Sequence, residues 1–331
     1  MSDASSVAVI DRNLALEAVR VTEAAALAAS REVGRGDERS ADEAAMKAMR
    51  AALNVLQIDG TIVIGEGEAD ETDMLYIGEK VGSDRSGPPI DIALDPLEGA
   101  TICAKGGQNA LAVVALAAKG SFLSPPAVYM EKIAVGPNLP PGVVDLDESP
   151  VVNLRNLAKA RGLDVSDLLI CILDRPRHED LIAKIREAGA RVMLITDGDV
   201  SGVIATAQPL SNVDMYMGIG GAHEGVLAAA ALACVGGQMQ GRLVLRSEDE
   251  RARARRRGIT DPSKKYALED MAKGDIMFAA TGITDGTLLR GINRFRGGAT
   301  THSIVIRAKS GTLRSIEARH RLDHFGEVFG E

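Results

Sequence analysis

Two short apolar runs, each punctuated by glycine or proline and followed by acids, constrain this chain more than any other feature. The first is Thr61-Ile62-Val63-Ile64, followed by Gly65-Glu66-Gly67-Glu68 and Asp70; the second runs from Ile90 to Leu94, followed by Asp95-Pro96-Leu97-Glu98-Gly99. Such runs read as buried strands. Open α/β sheets bind ligands at the carboxyl ends of their strands. Crowded carboxylates there are electrostatically costly unless a divalent cation neutralises them. Glu66, Asp95 and Glu98 carry the hard oxygen donors that Mg²⁺ and Mn²⁺ prefer, and Pro96 restricts Asp95 to an extended conformation. On the residues alone, a metal site competes with a set of hydrated acidic loops.

The rest of the chain alternates helices and strands. A long amphipathic helix is expected from Asn13, as its N-cap, to near Gly34. Ser40 and Glu43 match a capping box for a helix reaching about Leu56, with Met49, Leu53 and Leu56 on one face. Asn109 to Leu116 reads as a third buried strand. Residues Gly136 to Pro150 carry Pro and Gly without periodicity, so the chain is expected to divide there into sub-domains 1–150 and 151–331. Further strands are expected at Leu168 to Leu173, Arg191 to Thr196 and Val213 to Ile219, with two more at Phe278 and Ser303. An α/β fold follows, with helices covering a largely buried sheet.

Several strand ends carry groups with two readings. Arg175-Pro176-Arg177 offers guanidiniums suited to bidentate phosphate contact, or an exposed, charge-paired turn. Asp197-Gly198-Asp199 suits sugar hydroxyls, or an Asx turn. Gly220-Gly221-Ala222-His223-Glu224 opens an alanine-rich helix, where backbone N–H groups can meet a phosphate. Asp42 and Glu224 read first as helix-start acids favoured by the macrodipole. Tyr129, after Pro125-Pro126, reads as a packed edge residue. His178 and His223 lack the partners of a catalytic histidine. The basic run Arg251 to Arg257 follows Glu248-Asp249-Glu250 and reads as a solvated helix face. No G-x-S-x-G motif and no P-loop occurs.

The formal charge of -8 argues against nucleic acid and anionic membranes as partners. The three cysteines, Cys103, Cys171 and Cys234, lack metal-ligand spacing and read as buried free thiols of a reducing compartment. With no signal peptide and no run near the ~18 apolar residues of a membrane span, a cytoplasmic location is expected.

At these residues the sequence resembles the class II fructose-1,6-bisphosphatases. The matching blocks are Gly34 to Asp37 with Ala41-Asp42, Ile58 to Glu68, Asp95 to Gly99, Tyr129 to Lys132, Arg175 to His178, Asp197 to Val200, Gly218 to Gly225 and Phe278 to Gly286. The resemblance implies a layered α-β-α-β-α sandwich of the lithium-sensitive sugar phosphatase type and metal-dependent hydrolysis of the 1-phosphate of fructose 1,6-bisphosphate. It implies Asp42, Glu66, Asp95, Glu98 and Glu224 as ligands of Mg²⁺ or Mn²⁺. Glu98, Gly99, Ala100, Tyr129, Arg175, Pro176, Arg177, Asp197, Gly198, Asp199 and Gly221 would line the sugar-phosphate site. Asp70 would help activate the attacking water. A homodimer or homotetramer is the family expectation. The chain departs from the family pattern at Ala100, where threonine is usual, leaving Thr101 as the nearest hydroxyl, and at His223, where proline is usual. Sedoheptulose 1,7-bisphosphate is an alternative substrate, and a non-catalytic metal and sugar-phosphate sensor is the alternative of another class.

Overall fold

The computed structural model describes residues 3–83, 87–208 and 211–321, with side chains from Leu14 onward. The chain divides into two compact units, Met1–Gly120 with Gly274–Glu331, and Ser121–Lys273. The first unit begins with α1 (Asp3–Ala29), α2 (Glu38–Asn54), β1 (Asp59–Ile64), β2 (Lys80–Val81), β3 (Pro89–Glu98), α3 (Ala100–Lys105) and β4 (Leu111–Ala118). The second holds β5 (Tyr129–Val135), α4 (Pro150–Arg161), β6 (Leu169–Leu173), α5 (Glu179–Glu187), β7 (Arg191–Ile195), α6 (Asp199–Ala205), β8 (Met215–Gly221), α7 (Ala222–Val235), β9 (Gln238–Val244), α8 (Glu248–Arg256), β10 (Lys265–Ala267) and α9 (Leu268–Met271). The chain then returns to the first unit as β11 (Met277–Gly282), β12 (Asn293–Phe295), β13 (Gly298–Arg307) and β14 (Thr312–Arg321). Both units are mixed α/β sandwiches.

The division expected at residue 150 falls inside the second unit. The segment before it is no linker: Val143 and Val144 are buried in that unit's core, and Gln238 Nε2 donates to the carbonyls of Leu139 and Pro140 at 3.0 Å each. A loop tied down by side chains shows no periodicity, and neither does a linker.

In the first unit the sheet order is β12-β13-β11-β4-β3-β1-β2, with β14 also paired to β13. Strands β1 and β3 run parallel, so their acidic ends lie at the same edge. The core joins Met49 and Leu53 of α2 to Ile62, Ile92 and Leu94, with the alanine-rich side of α1 packed in. Buried hydroxyls tether α1 as well: Thr22 Oγ1 lies 2.7 Å from Thr281 Oγ1, and Thr301 Oγ1 donates to Glu23 at 2.7 Å. Helix α1 begins at Asp3 rather than at Asn13, whose side chain lies outside the described residues, and it ends at Ala29 before a turn to Gly34. The N-cap of α2 is Asp37, not Ser40: its carboxylate accepts the Ser40 N–H at 3.0 Å and the Ser40 hydroxyl at 2.8 Å. These bonds hold the Asp37 carboxyl below its usual pKa.

The second unit's sheet order is β10-β9-β5-β8-β6-β7. Strands β6, β7 and β8 are parallel, and β5 runs antiparallel to both β8 and β9. One face packs on α4 and α5 through Leu154, Leu157, Ile182 and Ile185. The other receives α6 and α7, whose Gly202 and Gly225 lie against Cys171, Tyr216 and Met130. The carboxyl ends of β6, β7, β8 and β9 and the start of β5 therefore meet at one edge. In helix α8 the arginines of the basic run pair with the acids before them, Arg251 and Arg255 with Glu248 and Arg253 with Asp249, while Arg257 donates to the Ser124 hydroxyl at 2.9 Å.

Candidate active site

In the first unit, Asp95 and Glu98 do not follow their strand but lie within its last turn of pleat. The β3–β4 register shifts between Asp95, opposite Val113, and Glu98, opposite Leu111, so β3 carries one extra residue at Pro96 and Leu97. A bulge of this kind re-aims side chains, and proline is tolerated there because it donates no ladder hydrogen bond. The result brings carboxylate oxygens of Asp95 and Glu98 within 4.8 Å of one another, with Glu98 buried. Asp95 Oδ1 also accepts the Leu97 N–H at 3.0 Å, which fixes the turn. Gly99, at φ 95°, then starts the short α3 that carries Ala100 and Thr101.

Glu66 is held by a clamp. Its N–H donates to the Leu75 carbonyl at 3.1 Å, and a Cβ on Gly65 would come within 2.1 Å of that same oxygen, so only glycine fits. Leu75 is fully buried at φ 55°, a left-handed conformation unfavourable for a leucine. The buried Glu79 carboxylate holds it there by accepting the Leu75 N–H, and Arg50 Nε in turn donates to Glu79 at 2.6 Å. Asp70 is exposed in the same loop. Asp42 lies in the second turn of α2, beyond the helix-start position, and burial together with Glu43 pushes its carboxyl pKa up. Neither Asp42 nor Glu66 completes a group of three with Asp95 and Glu98 at the 4.8 Å spacing among the described residues.

The second unit gathers the remaining candidates at one sheet edge. Tyr129 starts β5, an interior strand rather than an edge, opposite Gly221 on β8 and Val244 on β9. Three residues on, Lys132 is 1% exposed. Its ammonium forms an ion pair with Asp199 and donates to the Gly221 carbonyl at 2.9 Å. The Asp199 carboxylate is thus committed to a buried lysine rather than presented on an open turn, and Gly198 precedes it at φ 83°. Two glycines make this possible: a Cβ on Gly220 would fall 2.0 Å from Asp199 Oδ2, and one on Gly221 would fall 1.8 Å from Glu224 Oε2. Glu224 sits in the first turn of α7, where burial and then Asp199 push its carboxyl pKa up and Lys132 opposes them. Tyr129, Gly221, His223, Glu224 and Glu250 help line a recess of about 260 Å³.

Arg175 and Arg177 pair with backbone rather than with carboxylates. Arg175 donates to the Asp174 carbonyl at 3.1 Å, while Arg177 Nε and Nη2 both donate to the Ile219 carbonyl at 2.9 and 2.8 Å. Next to Arg177 in sequence, His178 is a strap. Its Nε2 accepts the Ile219 N–H at 2.8 Å, so Nδ1 carries the proton and donates to the Leu173 carbonyl at 2.7 Å. Burial depresses its pKa and keeps the ring neutral. His223 Nε2 donates to the Pro125 carbonyl at 3.0 Å, which occupies that donor within the protein. Asp197 follows β7, half-buried. Cys103 and Cys171 are no nucleophiles: burial pushes the Cys103 thiol up to about 11 and Cys171 to about 12.

The sequence pattern did not single out Lys132 beyond its motif block, and Arg246 gave no local signal. Lys132 was findable, since a charged residue alternating with Met130 and Ala134 along a strand occupies a core position.

An acidic bulge with hard oxygen donors in one unit, and guanidiniums with a buried lysine at a strand-end edge in the other, define the class: an α/β sandwich suited to phosphate esters and a divalent cation. The chain belongs to the bacterial, glpX-encoded fructose-1,6-bisphosphatase family, whose model matches residues 12–320. It is 50% identical over 326 residues to fructose-1,6-bisphosphatase 1 class 2 of Escherichia coli (strain K12), covering 94% of this chain and 96% of that protein. The class 2 fructose-1,6-bisphosphatases of Escherichia coli O6:H1 and Shigella flexneri match with the same 50% identity and coverage.

Proposed function

We propose that this chain hydrolyses the 1-phosphate of fructose 1,6-bisphosphate to fructose 6-phosphate and inorganic phosphate, with Mg²⁺ or Mn²⁺ as its cofactor. Beyond family membership, the pairing of Asp95 with the buried Glu98 at the β3 bulge carries the reading. An all-oxygen donor set fits a hard divalent cation.

Asp42, Glu66, Asp95, Glu98 and Glu224 serve as its ligands. When bound, the cation supplies Lewis acidity and neutralises phosphoryl charge. The protein's own groups do the rest. Asp70 accepts the proton of the attacking water. Thr101 offers that water the hydroxyl that Ala100 lacks. Glu98, Gly99 and Ala100 line the site at the reacting end. Tyr129, Arg175, Pro176, Arg177, Asp197, Gly198, Asp199 and Gly221 bind the phosphorylated sugar. Holding ester and water in line supplies a large part of the rate. Three buried free thiols agree with a reducing cytoplasm. Homodimer or homotetramer assembly belongs to the same reading and is favoured by β7, an edge strand whose Leu194 is 40% exposed.

The test is phosphate release from fructose 1,6-bisphosphate with Mg²⁺ or Mn²⁺, comparing the native protein with Glu66→Ala. Loss of a cation ligand removes roughly 4 kcal/mol of charge stabilisation, a rate drop of about a thousandfold, with the fold retained by circular dichroism. Near-normal turnover in the variant would overturn the assignment.

A further inference from the structure

Tyr129 is crowded by two cations. The Arg177 guanidinium lies 4.9 Å from its ring centroid and the Arg246 guanidinium 4.4 Å from the same centroid. The β5–β9 register explains the second contact. Tyr129 pairs with Val244, and Arg246 lies two residues beyond it, on the same side of the departing strand. Its position is fixed by the first turn of α8, where Glu250 accepts the N–H groups of both Arg246 and Ser247. Arg177 is equally fixed, since two of its nitrogens are tied to the Ile219 carbonyl.

Both guanidiniums are exposed, and among the described residues neither has a carboxylate partner. What sets these two apart is that both lie over one aromatic ring. The chain carries 46 acids against 38 bases, and several of its arginines, such as Arg39, Arg50, Arg161, Arg242 and Arg290, pair with acids, which Arg177 and Arg246 do not. Two like charges packed on one ring repel each other until an anion joins them. Planar forks are the group of choice for a phosphate dianion. The ring and both forks stand at the strand-end edge, beside the recess that Gly221 and Glu224 line.

We propose that Arg246 acts with Arg177 as a clamp for the phosphate that stays on the sugar, and that it sets the preference for a sugar bisphosphate over a monophosphate ester at carbon 1. This inference rests on the functional reading above and extends it to a residue outside the matched motif blocks.

The experiment compares the native protein with Arg246→Met and Arg246→Lys on fructose 1,6-bisphosphate and on fructose 1-phosphate, which lacks the distal phosphate. In Arg246→Met the KM for the bisphosphate rises about tenfold or more while kcat stays within about twofold, the pattern of lost uniform binding. The constants for fructose 1-phosphate stay unchanged. Arg246→Lys restores part of the KM, since a point charge replaces a fork. Calorimetric titration with fructose 6-phosphate needs no turnover and shows the same weakening. An unchanged KM and unchanged fructose 6-phosphate affinity in Arg246→Met would overturn the proposal. So would an equal KM rise for both esters, which marks a merely structural role at Tyr129. Absence of bisphosphate turnover in the native protein would count against the functional reading instead, and the calorimetric comparison would still decide the role of Arg246.

Discussion

Lys132 and Asp199 form the most exacting pair in the second unit, because both are nearly sealed from water. Taking such charges out of water costs several kcal/mol each, and the cost is offset only while the partner and further hydrogen bonds remain. The Gly221 carbonyl provides one such bond. Lys132→Met keeps the length of the side chain but strands the Asp199 carboxylate. A loss of about 3–5 kcal/mol in urea unfolding is expected. A loss below about 1 kcal/mol would mean that the pair is solvated in practice. The same substitution removes the largest of the contributions that oppose the upward push on Glu224. Gly220 and Gly221 belong to this residue-level arrangement, since any side chain there would occupy the space of Asp199 or Glu224.

At the scale of elements, the bulge in β3 and the His178 strap both convert regular strands into site geometry. The bulge turns a period-two strand into a carboxylate pair. The strap joins the end of β6 to β8, because the ring bridges Leu173 and Ile219 in its neutral form. The sign of its pH dependence follows. The folded pKa lies below the ordinary imidazole value of 6.5, so the unfolded chain takes up the proton first as pH falls. The strap's contribution is complete above about pH 6.5 and is lost as pH drops through the folded value. The thermal midpoint should therefore fall between about pH 7.5 and 5.5, and fall less in His178→Gln, which starts lower at the higher pH. Parallel slopes in the two proteins would remove His178 from this account. Helix α2 shows how local chemistry competes at an element's end. Ser40 and Glu43 had the spacing of a capping box, yet Asp37 takes the cap because its carboxylate accepts two bonds from Ser40. Either residue satisfies the composition rule, but Asp37 has the extended backbone of a cap whereas Ser40 already lies within the helix.

At the scale of the molecule, the chain leaves the first unit after Gly120 and returns at Gly274. Strand β11 then pairs with β4 from Met277 opposite Leu116 to Gly282 opposite Leu111, so the first sheet's interior waits for the last part of the sequence. The second unit is contiguous and closes on itself: Leu123 N–H donates to the Met271 carbonyl at 2.9 Å and Lys273 N–H to Ser121 at 3.0 Å. Residues 121–273 produced alone should unfold cooperatively in urea with native-like circular dichroism. Residues 1–150 should not, because β4 would expose the edge that β11 covers. Cooperative unfolding of 1–150 would restore the boundary drawn from the Pro- and Gly-rich stretch.

Much of the fold was legible along the chain. The strands around Ile62, Ile92, Val114, Ile170 and Met217, the alanine-rich helix after Gly221, and the acids and arginines at strand ends all follow from apolar runs, turn residues and side-chain chemistry, which act over a few neighbours. What only the tertiary structure decided is which distant residues share a place. It set Lys132 against Asp199, Arg246 and Arg177 against one ring, and β11 beside β4. It also moved Asp95 and Glu98 from beyond a strand into its bulge. These depend on sheet order and register, and a one-residue change of register turns every side chain to the opposite face, so no local pattern encodes them.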